Sequence, residues 1–582
     1  MKGTIIASMA SYVFLVVASN LGRPVGAFDE PMQYLGAMLI RWDGRVHTDF
    51  HSVYPVLNYQ FTSWMFALFG ETALAGRLLH SILYVLLLAA LWLLYRSGGS
   101  RGLRILVMML VAIAMTSPLP GLAAFVGSSI AFVAIAFYVY AIGADTEARR
   151  RCAFVGTGVF AGLALLSRTN FGGYVVALFV VDQVTTALRC RRAQQPFVQT
   201  LLQETATFAT PVLLCIAGMA LAYHNNILEV LRQSVLAPAA AGTRYPIPAY
   251  GPGGVPLERL MACVRLMLPL LPIAWLVLRS VSWKGWTGWT IFLIGLFAAE
   301  LLLCTSSPTG FALVVLCVPF ALALNQCTSG ALCRREFVPL FAYALFLHYY
   351  GYRPDQPHHV LVAAVGVFLL PSLLGPREPS WPRAWSRTLA IAFALLLTLP
   401  GIVDTAPALV PLGSLGVRAI REGLLTGSDA ARLSAARLPF SGAMATLYPS
   451  DDENQAAQFV RRRTAADEAV YVGLTDHSRP YVNYVRVAWL LGRRMGTRHF
   501  MLMSGFVDTP SSQGEMISDL QTRRVRWILL QKQMVTDEAF LRRNPPGATL
   551  LDSYIRSRYH RVAVFGSFEV HTINPGASTA AP

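Results

Sequence analysis

Charged side chains are scarce in this sequence. Asp, Glu, Lys and Arg make up 14% of its 582 residues, against about 25% in an ordinary soluble chain. Lysine is almost missing: Lys2, Lys284 and Lys532 are the only three, and the remaining basic residues are Arg. There are eight cysteines and none lies beyond Cys333, so the C-terminal polar tail has no disulfide open to it. No CxxC pair or Cys/His ligand spacing occurs, which argues against a structural zinc. No N-x-S/T sequon is present, and the tail contains no GxGxxG, Walker motif or nucleophile elbow. The charge deficit excludes a soluble globular enzyme, a disordered protein and a fibrous one.

Long uncharged blocks fill the space. Hydrophobic residues reach 55% and mean hydropathy is +0.49. Blocks of about 20 apolar residues are what a bilayer-spanning helix needs. They fall near 4–20, 73–95, 103–118, 123–143, 152–167, 171–188, 203–222, 260–278, 286–304, 308–326, 337–350, 359–375 and 388–403. The expected fold is therefore a polytopic α-helical membrane protein of about 13 spans over residues 1–403. Residues 1–22 read as a retained first span, because no small-x-small cleavage site follows the apolar run.

The net charge of +17 divides as +12 in residues 1–403 and +5 in 404–582. Most of the excess sits in short loops, where the positive-inside rule accounts for it and nucleic acid does not. Placing Lys2 inside gathers Arg96, Arg101, Arg104, Arg149–Arg151, Arg189, Arg191, Arg192, Arg279, Lys284, Arg334, Arg335, Arg377, Arg383 and Arg387 on the same side. An odd number of spans then puts the tail outside the membrane. The Arg-for-Lys bias fits a GC-rich bacterial source, so the expected location is a bacterial inner membrane with a periplasmic tail.

Two outer loops, 21–72 and 223–259, are longer than connectors need to be. The first contains PVLNYQFTSWMFALFG, an amphipathic stretch suited to the membrane interface. The second, around RYPIPAYGPGG, reads as irregular. In the tail, AVYVGL and RVRWILL read as buried strands, NQAAQFVRRR and SQGEMISDLQTRR as amphipathic helices, and VAVFGSFEVHTI as a closing strand pair. That alternation predicts a small extracytoplasmic α/β domain over 404–582.

The densest polar cluster is in the first outer loop: Asp29, Glu30, Arg41, Asp43, Arg45, His47, Asp49 and His51. A carboxylate at the membrane surface beside a second one can have a raised pKa and act as a general base. The plainer reading is a solvated loop with surface ion pairs.

The order of features in this loop resembles GT-C glycosyltransferases that use polyprenyl-phosphate sugars, in the branch of protein O-mannosyltransferases and lipid A aminoarabinose transferases. Matching features are the Asp29-Glu30 pair after the first span, a helix ending at Asp43-Gly44, Asp49-Phe50, the turn at Tyr54-Pro55, Leu68-Phe69-Gly70, and Arg77 opening the next span. Arg168 after GVFAGLALLS and the RPDQPHHVLVAAV segment with Arg353, His358 and His359 fit as well. The aminoarabinose enzymes carry a Lys before a Pro-Pro pair where this chain has Val53-Tyr54-Pro55, so an aminoarabinose donor is not favoured.

The resemblance implies an inverting transfer from a polyprenyl-phosphate donor to a glycan, lipid or protein acceptor at the outer face of the membrane. Asp29 would be the base, with Glu30 and Asp49 as secondary acidic groups. Arg77, Arg168, Arg244, Arg353, His358 and His359 would be donor-phosphate ligands. The resemblance fixes no cofactor, since some relatives need a metal and others do not; a divalent cation, Mg or Mn, would take Asp29, Asp49 and Glu300 as ligands if one is used. The rival classes are a transporter or flippase for a lipid-linked sugar, and a non-catalytic binder of one. A flippase predicts ionisable groups near the midplane of two related halves, whereas here they crowd at the outer face.

Overall fold

The computed structural model describes residues 28–95, 124–142, 147–192, 198–223, 227–236, 451–481, 485–533 and 544–575, with isolated positions such as Leu21, Val25 and Asn483. Outside the described residues lie the expected spans from 260 onward, the one at 103–118, nearly all of that at 4–20, and Arg244, Glu300, Arg353, His358 and His359.

Helix α1 (Asp29–Arg41) follows the first apolar segment and opens with two acids at the positive end of its dipole. It stops at a Schellman-type turn. The Gly44 N–H donates to the Leu39 carbonyl at 2.9 Å and the Asp43 N–H to that of Ile40 at 3.0 Å, with Asp43 at φ 63°. Helix α2 (Leu57–Phe69) is the amphipathic stretch seen in the sequence, and it leaves Trp64, Leu68 and Phe69 exposed.

The apolar blocks form α3 (Ala73–Tyr95), α4 (Ala124–Ile142), α5 (Glu147–Ser167), α6 (Thr169–Arg192) and α7 (Val198–Tyr223). Among the described residues, three helices are long and apolar enough to cross a membrane: those containing Ala73–Ala90, Arg149–Ser167 and Val198–Ala222. Helix α7 exposes Leu202, Leu213, Leu214 and Leu221, as a lipid-facing helix does. Its other side packs against a Gly-x-x-x-Gly face of α5. A Cβ on Gly158 would lie 2.4 Å from the Phe208 carbonyl oxygen, and one on Gly162 would lie 2.7 Å from the Cys215 Cβ. Small residues here replace the missing hydrophobic drive with close van der Waals contact. A short helix α8 (Ile227–Leu231) and a π-helical turn (Arg232–Leu236) open the segment 223–259, whose RYPIPAYGPGG stretch lies outside the described residues.

The tail contains α9 (Asp451–Arg461), β1 (Ala469–Leu474), α10 (Val485–Leu491), β2 (Arg494–Met495), α11 (Pro510–Thr522), β3 (Trp527–Gln531), α12 (Leu550–Arg558), β4 (Tyr559–Phe565) and β5 (Phe568–Ile573). The sheet order is β2-β1-β3-β5-β4. The first three strands run parallel, and β5 is antiparallel to both neighbours. β1 and β3 are buried almost throughout, which is why both read as continuous apolar runs.

The tail does not stand apart from the membrane half. Tyr34 of α1 packs its ring 5.4 Å from that of Trp489 and 5.9 Å from that of Phe66. One apolar core holds residues of α1, α2 and the tail together. Arg486 of α10, buried, donates to Glu453 at 2.5 Å and to the Val25 carbonyl at 2.8 Å. The tail therefore grips the chain just ahead of α1. Truncating one partner of a buried pair strands the other charge. Arg486→Met should cost about 3–5 kcal/mol, read as a lower unfolding midpoint of the detergent-purified protein.

Candidate active site

Asp29 and Glu30 are neighbours on α1 but face different surroundings. Glu30 is fully buried. Its Oε1 accepts from Arg77 Nε at 2.6 Å and from the Tyr34 hydroxyl at 2.7 Å, and its Oε2 accepts from an Arg77 Nη at 3.1 Å. Arg77, also at zero exposure, gives another N–H to the Leu21 carbonyl at 3.0 Å. Glu30 was expected near the acceptor and Arg77 at the donor phosphate. The structure joins the two to each other, in an arrangement that clamps α1 to α3 and to the end of the preceding segment.

Asp29 is only partly covered. Burial pushes its carboxyl up to about 6, against the opposing pull of the Arg168 guanidinium. Arg168 lies at the break between α5 and α6, brought beside Asp29 by a short set of bonds. Asn58 of α2 donates to the Ser167 carbonyl at 3.1 Å, and the Ser167 hydroxyl donates back to Asn58 at 3.3 Å. The guanidinium is 5.6 Å from the ring centres of both Tyr54 and Phe171, which holds it in place by cation–π attraction. Tyr54 itself is set by a turn: the Ser52 hydroxyl donates to the Tyr54 carbonyl at 2.9 Å and pairs with the Tyr59 hydroxyl at 2.7 Å. Burial raises the Tyr59 pKa, so this phenol stays neutral close to Asp29.

Asp49 is engaged elsewhere. Its carboxylate accepts from the Arg45 backbone at 2.9 Å and from Arg45 Nε at 3.0 Å. Although burial opposes it, those bonds hold its pKa below the usual range. Its carbonyl receives an N–H from Arg523 of the tail at 3.3 Å. Asp49 thus shapes the loop and ties it to the tail. Among the described residues, neither Asp29 nor Asp49 belongs to a group of three side chains able to share a cation. The third ligand expected for a Mg or Mn ion, Glu300, lies outside the described residues.

The rest of the loop is anchored through Gln233, in the π-helical turn. Its side-chain oxygen takes the Ser52 N–H at 3.1 Å and meets His47 Nδ1 at 3.0 Å, and its amide donates to the His47 carbonyl at 3.1 Å. His51 donates its backbone N–H to the Arg498 carbonyl at 2.9 Å and stacks on His499, ring centres 4.1 Å apart. Burial, with the nearby His499, drives the His51 pKa down to about 3.

No family model and no curated protein matches the sequence. Among solved structures, the chain is similar in structure to ArnT, AglB and AftD. ArnT from Cupriavidus metallidurans, bound to undecaprenyl phosphate, is 13% identical with a TM-score of 0.45, over 100% of both chains. The archaeal oligosaccharyltransferase AglB from Archaeoglobus fulgidus, in complex with an inhibitory peptide and a dolichol-phosphate, is 13% identical with a TM-score of 0.41. That match covers 98% of this chain and 74% of the other. The arabinofuranosyltransferase AftD from mycobacteria is 14% identical with a TM-score of 0.42, over 100% of this chain and 42% of its own.

Sequence reading passed over Ser52, Tyr59, Gln233, His499 and Glu515. Tyr59 and Glu515 lie in stretches read for their helical pattern alone. Ser52 and Gln233, like His51 and His499, meet as partners far apart in the chain, so spacing holds no signal for them. The aromatic pair around Arg168 was within reach, since Tyr54 and Phe171 stand in the two segments already singled out.

Proposed function

We propose that this protein is an inverting glycosyltransferase of the GT-C type, moving a sugar from a polyprenyl-phosphate donor to an acceptor hydroxyl at the outer membrane surface. The observation that carries this reading is that Asp29, a carboxylate whose pKa burial raises to about 6, lies within electrostatic reach of the aromatic-braced guanidinium of Arg168. A base with that pKa is ionised at neutral pH and still strong enough to take a proton. An adjacent guanidinium offers a planar fork to phosphate oxygens.

In the proposed step, the acceptor O–H gives its proton to Asp29 and its oxygen attacks the anomeric carbon. The bond from that carbon to the phosphate oxygen breaks, and polyprenyl phosphate leaves with the electron pair. Configuration inverts. Phosphate is already a good leaving group, so stabilising the charge that develops on it matters more than protonating it. Arg168 supplies that charge, with Arg244, Arg353, His358 and His359 as further candidates. Glu30 and Arg77 act by position, holding the helix that presents Asp29.

Membranes carrying the protein, incubated with a panel of radiolabelled polyprenyl-phosphate sugars, should move one label to a macromolecular or lipid acceptor. Failure of every donor, with lipid-linked sugar crossing the bilayer instead, would refute the reading in favour of a flippase. Arg168→Gln adds a sharper check. It should weaken donor use by at least about tenfold, on the scale of a charged hydrogen bond. It should also shift the acid limb of the rate upward in pH, because the charge that lowers the Asp29 pKa is gone. A limb that stays put would remove Arg168 from the site.

A further inference from the structure

Away from Asp29, the seam between the first outer loop and the tail brings together His51, His499 and Glu515. One ligating atom from each lies within 4.8 Å of the others. The residues come from three places: the loop before α2, the segment after β2, and the middle of α11. His499 Nε2 and Glu515 Oε2 are 3.3 Å apart. Two ligands held by tetrahedral zinc at about 2.0–2.2 Å stand roughly 3.3–3.5 Å from each other, so this edge already has the length that a shared ion requires.

The neighbouring charges are accounted for. Arg498 is held by Asp519 through bonds of 3.0–3.3 Å. Arg232 is held by Glu229 at 2.5–3.1 Å. Both guanidiniums are thus partly neutralised beside the cluster. His499 is buried, while Glu515 is half exposed and forms the open side.

The geometry points to a binding site for a divalent cation of zinc type on His51, His499 and Glu515, with water completing the coordination. Two imidazoles and one carboxylate suit zinc better than magnesium or calcium, which prefer all-oxygen cages. The lack of local ligand spacing argued against structural zinc, but the fold supplies ligands about 450 residues apart in sequence. Such an ion would cross-link loop to tail where the His51–Arg498 backbone bond already joins them. The site is independent of the transferase reading and of Asp29.

The test uses the full chain, purified in detergent with a tag free of histidine, stripped with a chelator and titrated with zinc against a chromophoric competitor. One saturable equivalent is expected, as are visible absorption bands of four-coordinate cobalt when cobalt(II) replaces zinc. Zinc should also raise the unfolding midpoint. Glu515→Gln, at a half-exposed position that leaves folding intact, should weaken binding about tenfold or more. His499→Gln should abolish both the binding and the cobalt bands. No saturable equivalent in the parent protein, or equal binding by parent and Glu515→Gln, would overturn the proposal.

Discussion

Asp29→Asn is expected to lower sugar transfer by about 10²–10⁴-fold, the usual contribution of a general base, while making the protein more stable. The two effects share one cause. The folded chain holds the Asp29 proton more tightly than the unfolded chain does, because the carboxylate is desolvated. The native state therefore takes up a proton between the ordinary value of 3.8 and about 6, and its stability falls as pH rises through that window. Above it, the partly buried charge costs less than about 3 kcal/mol, the full 1.36 kcal/mol per pKa unit being reduced by solvent screening. Asparagine keeps the shape and removes the charge. A higher melting temperature at pH 7.5 is expected, with the gain vanishing at pH 4. Single-turnover rates of the parent should rise with pH through about 6 and then level off. Transfer unchanged in Asp29→Asn would dismiss Asp29 as the base.

One residue further on, the opposite outcome is expected. Glu30→Gln removes the buried carboxylate that accepts two N–H bonds from the fully buried Arg77, and the loss should be about 3–5 kcal/mol. The protein should melt well below the parent or fail to accumulate. Arg77→Met should be equally damaging, whereas the double replacement Glu30→Met with Arg77→Met should recover much of the loss, since no charge is then stranded. A double-mutant cycle on melting free energies reads this directly. Additive single losses, or a stable Glu30→Gln, would contradict the buried pair. Adjacent acids thus separate cleanly: replacing Asp29 lowers transfer and raises stability, while replacing Glu30 lowers stability.

Much of the architecture was legible because it is local. Five of the expected apolar blocks became α3 to α7, with ends close to those read from composition. In the tail, the strands at 469–474 and 527–531 and the closing hairpin were visible as short apolar runs broken by turn residues. A helix ending at Asp43-Gly44 was among the features of the resemblance, and α1 stops there with Asp43 at positive φ. The π-helical turn at Arg232–Leu236 was not, because what fixes it is Gln233 reaching across to His47 and Ser52 rather than any local preference.

The sequence by itself determined that this chain is built from blocks apolar enough to cross a bilayer, where the described helical blocks lie, and that an Asp-Glu pair follows the first block. Only the tertiary structure decided what surrounds each acid. Successive residues on a helix point about 100° apart, so Glu30 turns inward to an arginine on α3 while Asp29 turns toward one at the α5–α6 break. Which cation waits in either direction depends on how distant segments pack, and a carboxylate's pKa follows from that company and from the water it loses.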